Sequence, residues 1–165
     1  MSLFGAGCSR APAELPSPAS VDAMTPEEKS KAMEEYEKTV PSPSDPAPAE
    51  PMPTTVASKS GAFHERVHRA TGTAKLVNDN GTWKVVLSDD FTTDAGPDLH
   101  VYVSGNPDPK TSPEVHQEPS ADLGSLKGTS GAQTYELGNI DPSNVKSIVI
   151  YCKPFKVVFS VATLQ

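Results

Sequence analysis

The stretch "SIVIYCKPFKVVFS", residues 147–160, consists of two β-prone runs interrupted by Lys153-Pro154. β-Branched and aromatic side chains suit a pleated, half-buried surface, and a strand sends alternate residues to opposite faces. The alternation puts Ile148, Ile150 and Cys152 on one face and Ser147, Val149 and Tyr151 on the other. In the second run Phe155, Val157, Phe159 and Val161 form another apolar row. The stretch therefore reads as two strands, with one thiol continuing an aliphatic row. A cysteine so placed is by default a small buried hydrophobe. A reactive thiol needs a nearby cation, a helix N-terminus or a metal, together with access. Lys153 and Lys156 are near in sequence, but neighbours along a strand point to opposite faces.

Upstream, short β runs punctuated by turns continue the pattern and indicate an all-β sandwich or barrel-like antiparallel domain. "TAKLVNDNGTWKVVLSDDF" reads as a hairpin turning at Asn80-Gly81, a pair that tolerates the positive φ angles of a tight turn. In "GPDLHVYVSG" Leu99, Val101 and Val103 share one face, and His100 and Tyr102 the other. "NPDPKTSPEVHQEPSAD" reads as a long loop, and "GAQTYELG" as a further short strand.

The folded part is C-terminal. Ten of the seventeen prolines lie before residue 57, whereas Trp83 and most Phe and Tyr residues lie after Gly61. The chain divides into an N-terminal region, 1–60, rich in Pro, Ala, Ser and Glu, and a β domain, 61–165. The first region buries too little apolar surface to offset the entropy of ordering it, so it reads as a linker. One island, residues 26–39, reads as a short helix: Thr25 caps it, Pro26 suits its first turn, Glu27 and Glu28 face its positive end and Pro41 stops it. It is either a docking element or a transient helix, since an isolated helix of this length is marginal in water.

The formal charge of −7 is shared, with five basic and nine acidic residues in 1–60 and nine and twelve in 61–165. No basic stripe emerges, which argues against nucleic acid as a partner. No segment has the roughly 20 apolar residues that a membrane span needs. Cys8, in "LFGAGCSR", follows small residues and precedes a polar stretch, as does the lipidated cysteine at the end of a bacterial lipoprotein signal. Cys8 is therefore a candidate lipidation site, and the opening residues a candidate signal-peptide remnant. The expected setting is extracytoplasmic, in the cell envelope, with the membrane engaged only through that anchor.

"SIVIYCKPFKVVFSVATL" resembles the C-terminal signature of the electron-transfer domain called DM-thirteen: a β run ending in Cys, two intervening residues, then Phe-x-Val-x-Phe. Phe63, His68 followed by Gly72, Phe91, "GPDLHVYV" and "LGSLKGTSGAQTYEL" agree in order, so the resemblance covers about Gly61 to Leu164. It implies an all-β extracytoplasmic redox or electron-transfer accessory domain centred on Cys152. That cysteine would serve as a bare redox thiol or hold a prosthetic group such as haem, with a redox or cell-envelope protein as partner. His68 matches a family position and is the candidate partner of Cys152 in a thiolate–imidazolium pair. The alternative is a cell-surface binding or structural module in which Cys152 is inert core.

Other chemistry finds little support. No Cys-x-x-Cys-His is present for covalent haem attachment. No His and Met follow Cys152 as a blue-copper site would want. Asp89, Asp90, Asp94 and Asp98 match no defined calcium loop, and Asp98 in "GPDL" suits a turn, so no metal site is expected. Nothing marks a stand-alone enzyme.

Overall fold

The computed structural model describes residues 18–39, 46–48 and 57–165; Cys8 lies outside them. Two helices, α1 (Pro18–Asp22) and α2 (Pro26–Thr39), precede ten strands: β1 (Ala57–Glu65), β2 (Ala70–Thr71), β3 (Thr73–Asp79), β4 (Thr82–Leu87), β5 (Thr92–Thr93), β6 (Leu99–Ser104), β7 (Ala121–Ser125), β8 (Gln133–Glu136), β9 (Ser147–Cys152) and β10 (Val157–Thr163), with a one-turn helix, α3 (Ser112–Val115), between β6 and β7. Eight strands form an antiparallel sheet in the order β7-β6-β9-β10-β1-β3-β4-β8, and β2 pairs with β5 beside it.

The sheet curls into a nearly closed barrel because β1 serves two ladders. Residues 57–62 of β1 pair with β3, and Phe63, His64 and Glu65 pair with β10. A strand that changes ladders makes a corner, and Gly61 sits at this one: a Cβ there would lie 2.0 Å from the Thr163 carbonyl oxygen. The two edges meet through side chains. The Lys127 N–H, just past β7, reaches the Tyr135 hydroxyl of β8 at 3.0 Å and Gln133 Oε1 at 3.1 Å. At the β3–β4 hairpin, Asn80 (φ 53°) and Gly81 (φ 91°) both take the left-handed conformation that their turn requires.

The expected alternation holds over β6 and β9. Leu99, Val101, Val103, Ile148, Ile150 and Cys152 enter the barrel core, while Tyr102, Val149 and Tyr151 join an outer cluster. In β10 it fails at one residue. Val157 and Phe159 point inward, but Val161 lies in the outer cluster with Val158. The cause is a register shift between Val158 and Ser160, where Phe159 becomes the extra residue opposite Ile150. Such a bulge flips the face of every later side chain.

The long loop is partly ordered into α3, held by a capping box between Thr111 and Glu114, and it ends in β7. Sheet structure begins at Ala57 rather than Gly61, and Lys59 Nζ donates to the carbonyls of Pro142, Ser143 and Val145. Helix α2 is docked: Met33 is 1% exposed within the core cluster, and the Tyr36 ring meets Phe155 edge-on at 6.4 Å. Its own end is capped as the sequence suggests, with the Glu28 N–H donating to Thr25 Oγ1 at 3.3 Å. Among the described residues no helix is long and apolar enough to cross a membrane.

Candidate functional site

Cys152 ends β9 and faces Leu99 of β6 on one side and Val157 of β10 on the other. Its residue is 0% exposed, and the thiol donates to the Pro97 carbonyl oxygen at 3.1 Å. A carbonyl acceptor favours the protonated thiol over a thiolate, which would present a lone pair to another lone pair. The neighbouring lysines are engaged elsewhere. Lys153 Nζ bonds Asp122 Oδ2 at 3.1 Å, and Lys156 Nζ bonds the two Asp22 oxygens at 2.5 and 2.6 Å.

A turn over Gly96, Pro97 and Asp98 roofs the sulfur. Gly96 is required for its close packing, because a Cβ there would lie 2.5 Å from the Phe159 ring. Asp98 takes a left-handed conformation (φ 47°), the turn role its sequence context suggests. Its carbonyl also accepts the Lys153 N–H at 3.4 Å, which ties the turn to the hairpin beyond Cys152.

The Asp98 carboxylate faces outward into a cluster that sequence reasoning did not find. His100 lies between two carboxylates, Nδ1 at 2.8 Å from Asp122 Oδ1 and Nε2 at 3.1 Å from Asp98 Oδ1. The Tyr102 hydroxyl donates to Asp122 Oδ2 at 3.2 Å. Burial, reinforced by Asp122, pushes the Tyr102 phenol well above its ordinary pKa. Burial works against the Asp122 carboxylate, yet bonds from His100, the Gly124 N–H and Lys153 outweigh it and hold its carboxyl below the usual value. The spacing of His100 and Tyr102 on one strand face was the available signal; Asp122, on β7, is joined only by sheet pairing.

His68 is turned to other partners. Its ring stacks on Phe159 with centroids 4.0 Å apart, its Nδ1 lies 3.7 Å from Asp94 Oδ2, and its backbone N–H donates to the Phe159 carbonyl at 3.3 Å. Burial lowers its pKa, and Asp94 and Glu34 only partly oppose that. Phe159 thus stands between the imidazole and the Gly96 turn that covers the thiol. Among the described residues no three His, Cys, Asp or Glu side chains converge to hold a metal ion.

The haem implied by the sequence resemblance does not fit on Cys152. The sulfur has no exposed surface and bonds to the chain's own carbonyl, and a macrocycle ligated there would have to displace the Gly96–Asp98 turn and the packed Phe159. What the arrangement can do is keep a single thiol protonated and out of water behind a three-residue turn. Neither the curated proteins nor the solved structures contain a match to the chain. Residues 62–164, well over half of its length, match the family model described as Electron transfer DM13, and the chain belongs to that family.

Proposed function

We propose that the protein is an extracytoplasmic redox accessory domain whose working group is the Cys152 thiol. The observation that carries this reading is the position of the sulfur, at a strand end beneath a short turn rather than in mid-sheet. Movement of the Gly96–Asp98 turn, whose Pro97 carbonyl accepts from the thiol, is the route by which the sulfur would reach solvent. With one cysteine in the β domain, two-electron oxidation of Cys152 ends in a mixed disulfide with a second molecule. The Cys152 sulfur attacks a partner disulfide, a new S–S bond forms as the partner's breaks, and the thiol proton leaves with the released thiol. The partner would be a redox or cell-envelope protein. Lipidation of Cys8 would tether the domain, a reading supported by the small residues before that cysteine and the Pro-rich stretch after it; labelled-lipid incorporation into the full precursor should vanish in Cys8→Ala.

The test is the rate at which a thiol-specific maleimide labels the native protein, compared with its rate of global unfolding. Labelling faster than unfolding, and faster still in Asp98→Ala, is the expected result. Labelling that waits for unfolding in both proteins would overturn the redox reading. It would favour the second one, an envelope binding or structural module, for which the complete burial of Cys152 speaks directly.

A further inference from the structure

Between the α1–α2 segment and the outer face of the sheet lies a cleft of about 770 Å³. That is the size of a small-molecule site. Its floor holds three rings that pack edge to face: Tyr102 and Tyr151 with centroids 5.1 Å apart, and His116 at 5.6 Å from the first and 5.8 Å from the second. The orientation of these rings is fixed from behind. The Tyr151 hydroxyl bonds Ser112 Oγ at 2.6 Å, Tyr102 donates to Asp122, and His116 Nδ1 donates to the Ser112 carbonyl at 2.7 Å.

Around this floor stand four lysines, Lys29 of α2, Lys110 before α3, and Lys153 and Lys156 of the β9–β10 turn. Among the described residues the lining carboxylate is Asp22 alone. Lys153 and Lys156 are already paired with Asp122 and Asp22, so the positive field at this concavity comes from Lys29 and Lys110, in a chain whose net charge is −7. An organic cation, which the rings alone would attract, is repelled by that rim. A neutral apolar molecule would leave the Lys29 and Lys110 ammonium groups unanswered.

We propose that this cleft binds a flat aromatic anion, with its ring on Tyr102, Tyr151 and His116 and its acid group among the lysines. The cleft also touches Tyr151, Lys153 and Val157, the two chain neighbours and one cross-strand partner of Cys152. A bound ring therefore sits one sheet thickness from the thiol. The site does not depend on Cys152 being reactive.

Calorimetric titration of the full chain with three probes of the same ring tests this: naphthalene-2-sulfonate, naphthalene-2-methanol and (2-naphthylmethyl)ammonium. The sulfonate should saturate at one site per chain and bind more tightly than the alcohol, with an affinity that falls as salt rises. Charge reversal at two surface positions, Lys29→Glu with Lys110→Glu, should weaken the sulfonate by about tenfold and leave the alcohol unchanged. His116→Ala, also at the surface, should weaken both by about fivefold. The inference is overturned if the alcohol or the ammonium binds as tightly as the sulfonate. It is equally overturned if the lysine double variant, still folded by its circular dichroism, binds the sulfonate as the unaltered chain does.

Discussion

The two faces of β9 divide the molecule's chemistry between them. The inner face, Ile148, Ile150 and Cys152, is sealed in the barrel core, and its one reactive group donates to a backbone carbonyl at 3.1 Å. The outer face, with Val149 and Tyr151 beside Tyr102, carries the rings, borders the lysines and adjoins the His100 carboxylate clamp, with a cleft open before it. The thiol and the groups that could assist it are thus separated by a single strand. Packing governs the first face and electrostatics the second, so substitutions on each should differ in size and in kind.

The largest effect is expected at Phe159. Its ring is fully buried, supports the Gly96 turn and carries the His68 stack, so Phe159→Ala should cost about 3–5 kcal/mol of unfolding free energy in urea. A cost below about 1 kcal/mol would break the picture of a close-packed inner face. Met33→Ala should cost about 2 kcal/mol, because α2 closes that core from outside the sheet. If Met33→Ala and the unaltered protein unfold at the same urea concentration, α2 is not docked in solution. Gly96→Ala forces a methyl group against Phe159 and should cost about 1–3 kcal/mol. It should also speed maleimide labelling of Cys152, since the roof rather than the barrel takes the strain; slower labelling would place the route to the sulfur elsewhere.

How far all this was legible follows from the same division. Alternation reads local burial, and it assigned Leu99, Val101, Val103, Ile148, Ile150 and Cys152 to the inside because nothing interrupts β6 or β9. It misassigned Val161 because a bulge inserts Phe159 opposite Ile150, and a bulge leaves no mark in composition. The outer cluster was illegible for another reason: His100 and Asp122 are 22 positions apart and meet only once β6 and β7 pair. Likewise α2 shows only Ala32, Met33 and Tyr36 as apolar residues, too few to reveal docking, yet Met33 fills a place in the core and the other two pack against it. His68 was named from a motif, and the motif could not say that Phe159 would take its ring face.

The smallest effect, and the one that separates the faces most cleanly, is in the pH dependence of stability. Burial holds the His68 pKa below its ordinary value of about 6.5. The unfolded chain then takes up that proton more readily than the folded one, and stability falls as pH drops below about 6.5. His64, lowered first by its own burial and then by Arg66, adds to the same loss. Asp122 works in a lower window. Its carboxyl sits below the usual value in the folded state, so its contribution is complete above about pH 4, the unfolded value, and is lost as pH falls through the folded one. Unfolding free energies measured from pH 8 to 3 should therefore show two separable losses. His68→Gln should shrink the upper loss without touching the lower, and Asp122→Asn should do the reverse. If Asp122→Asn leaves the acid limb unchanged, the carboxylate clamp on His100 is not formed in solution, and the outer face is held by its rings alone.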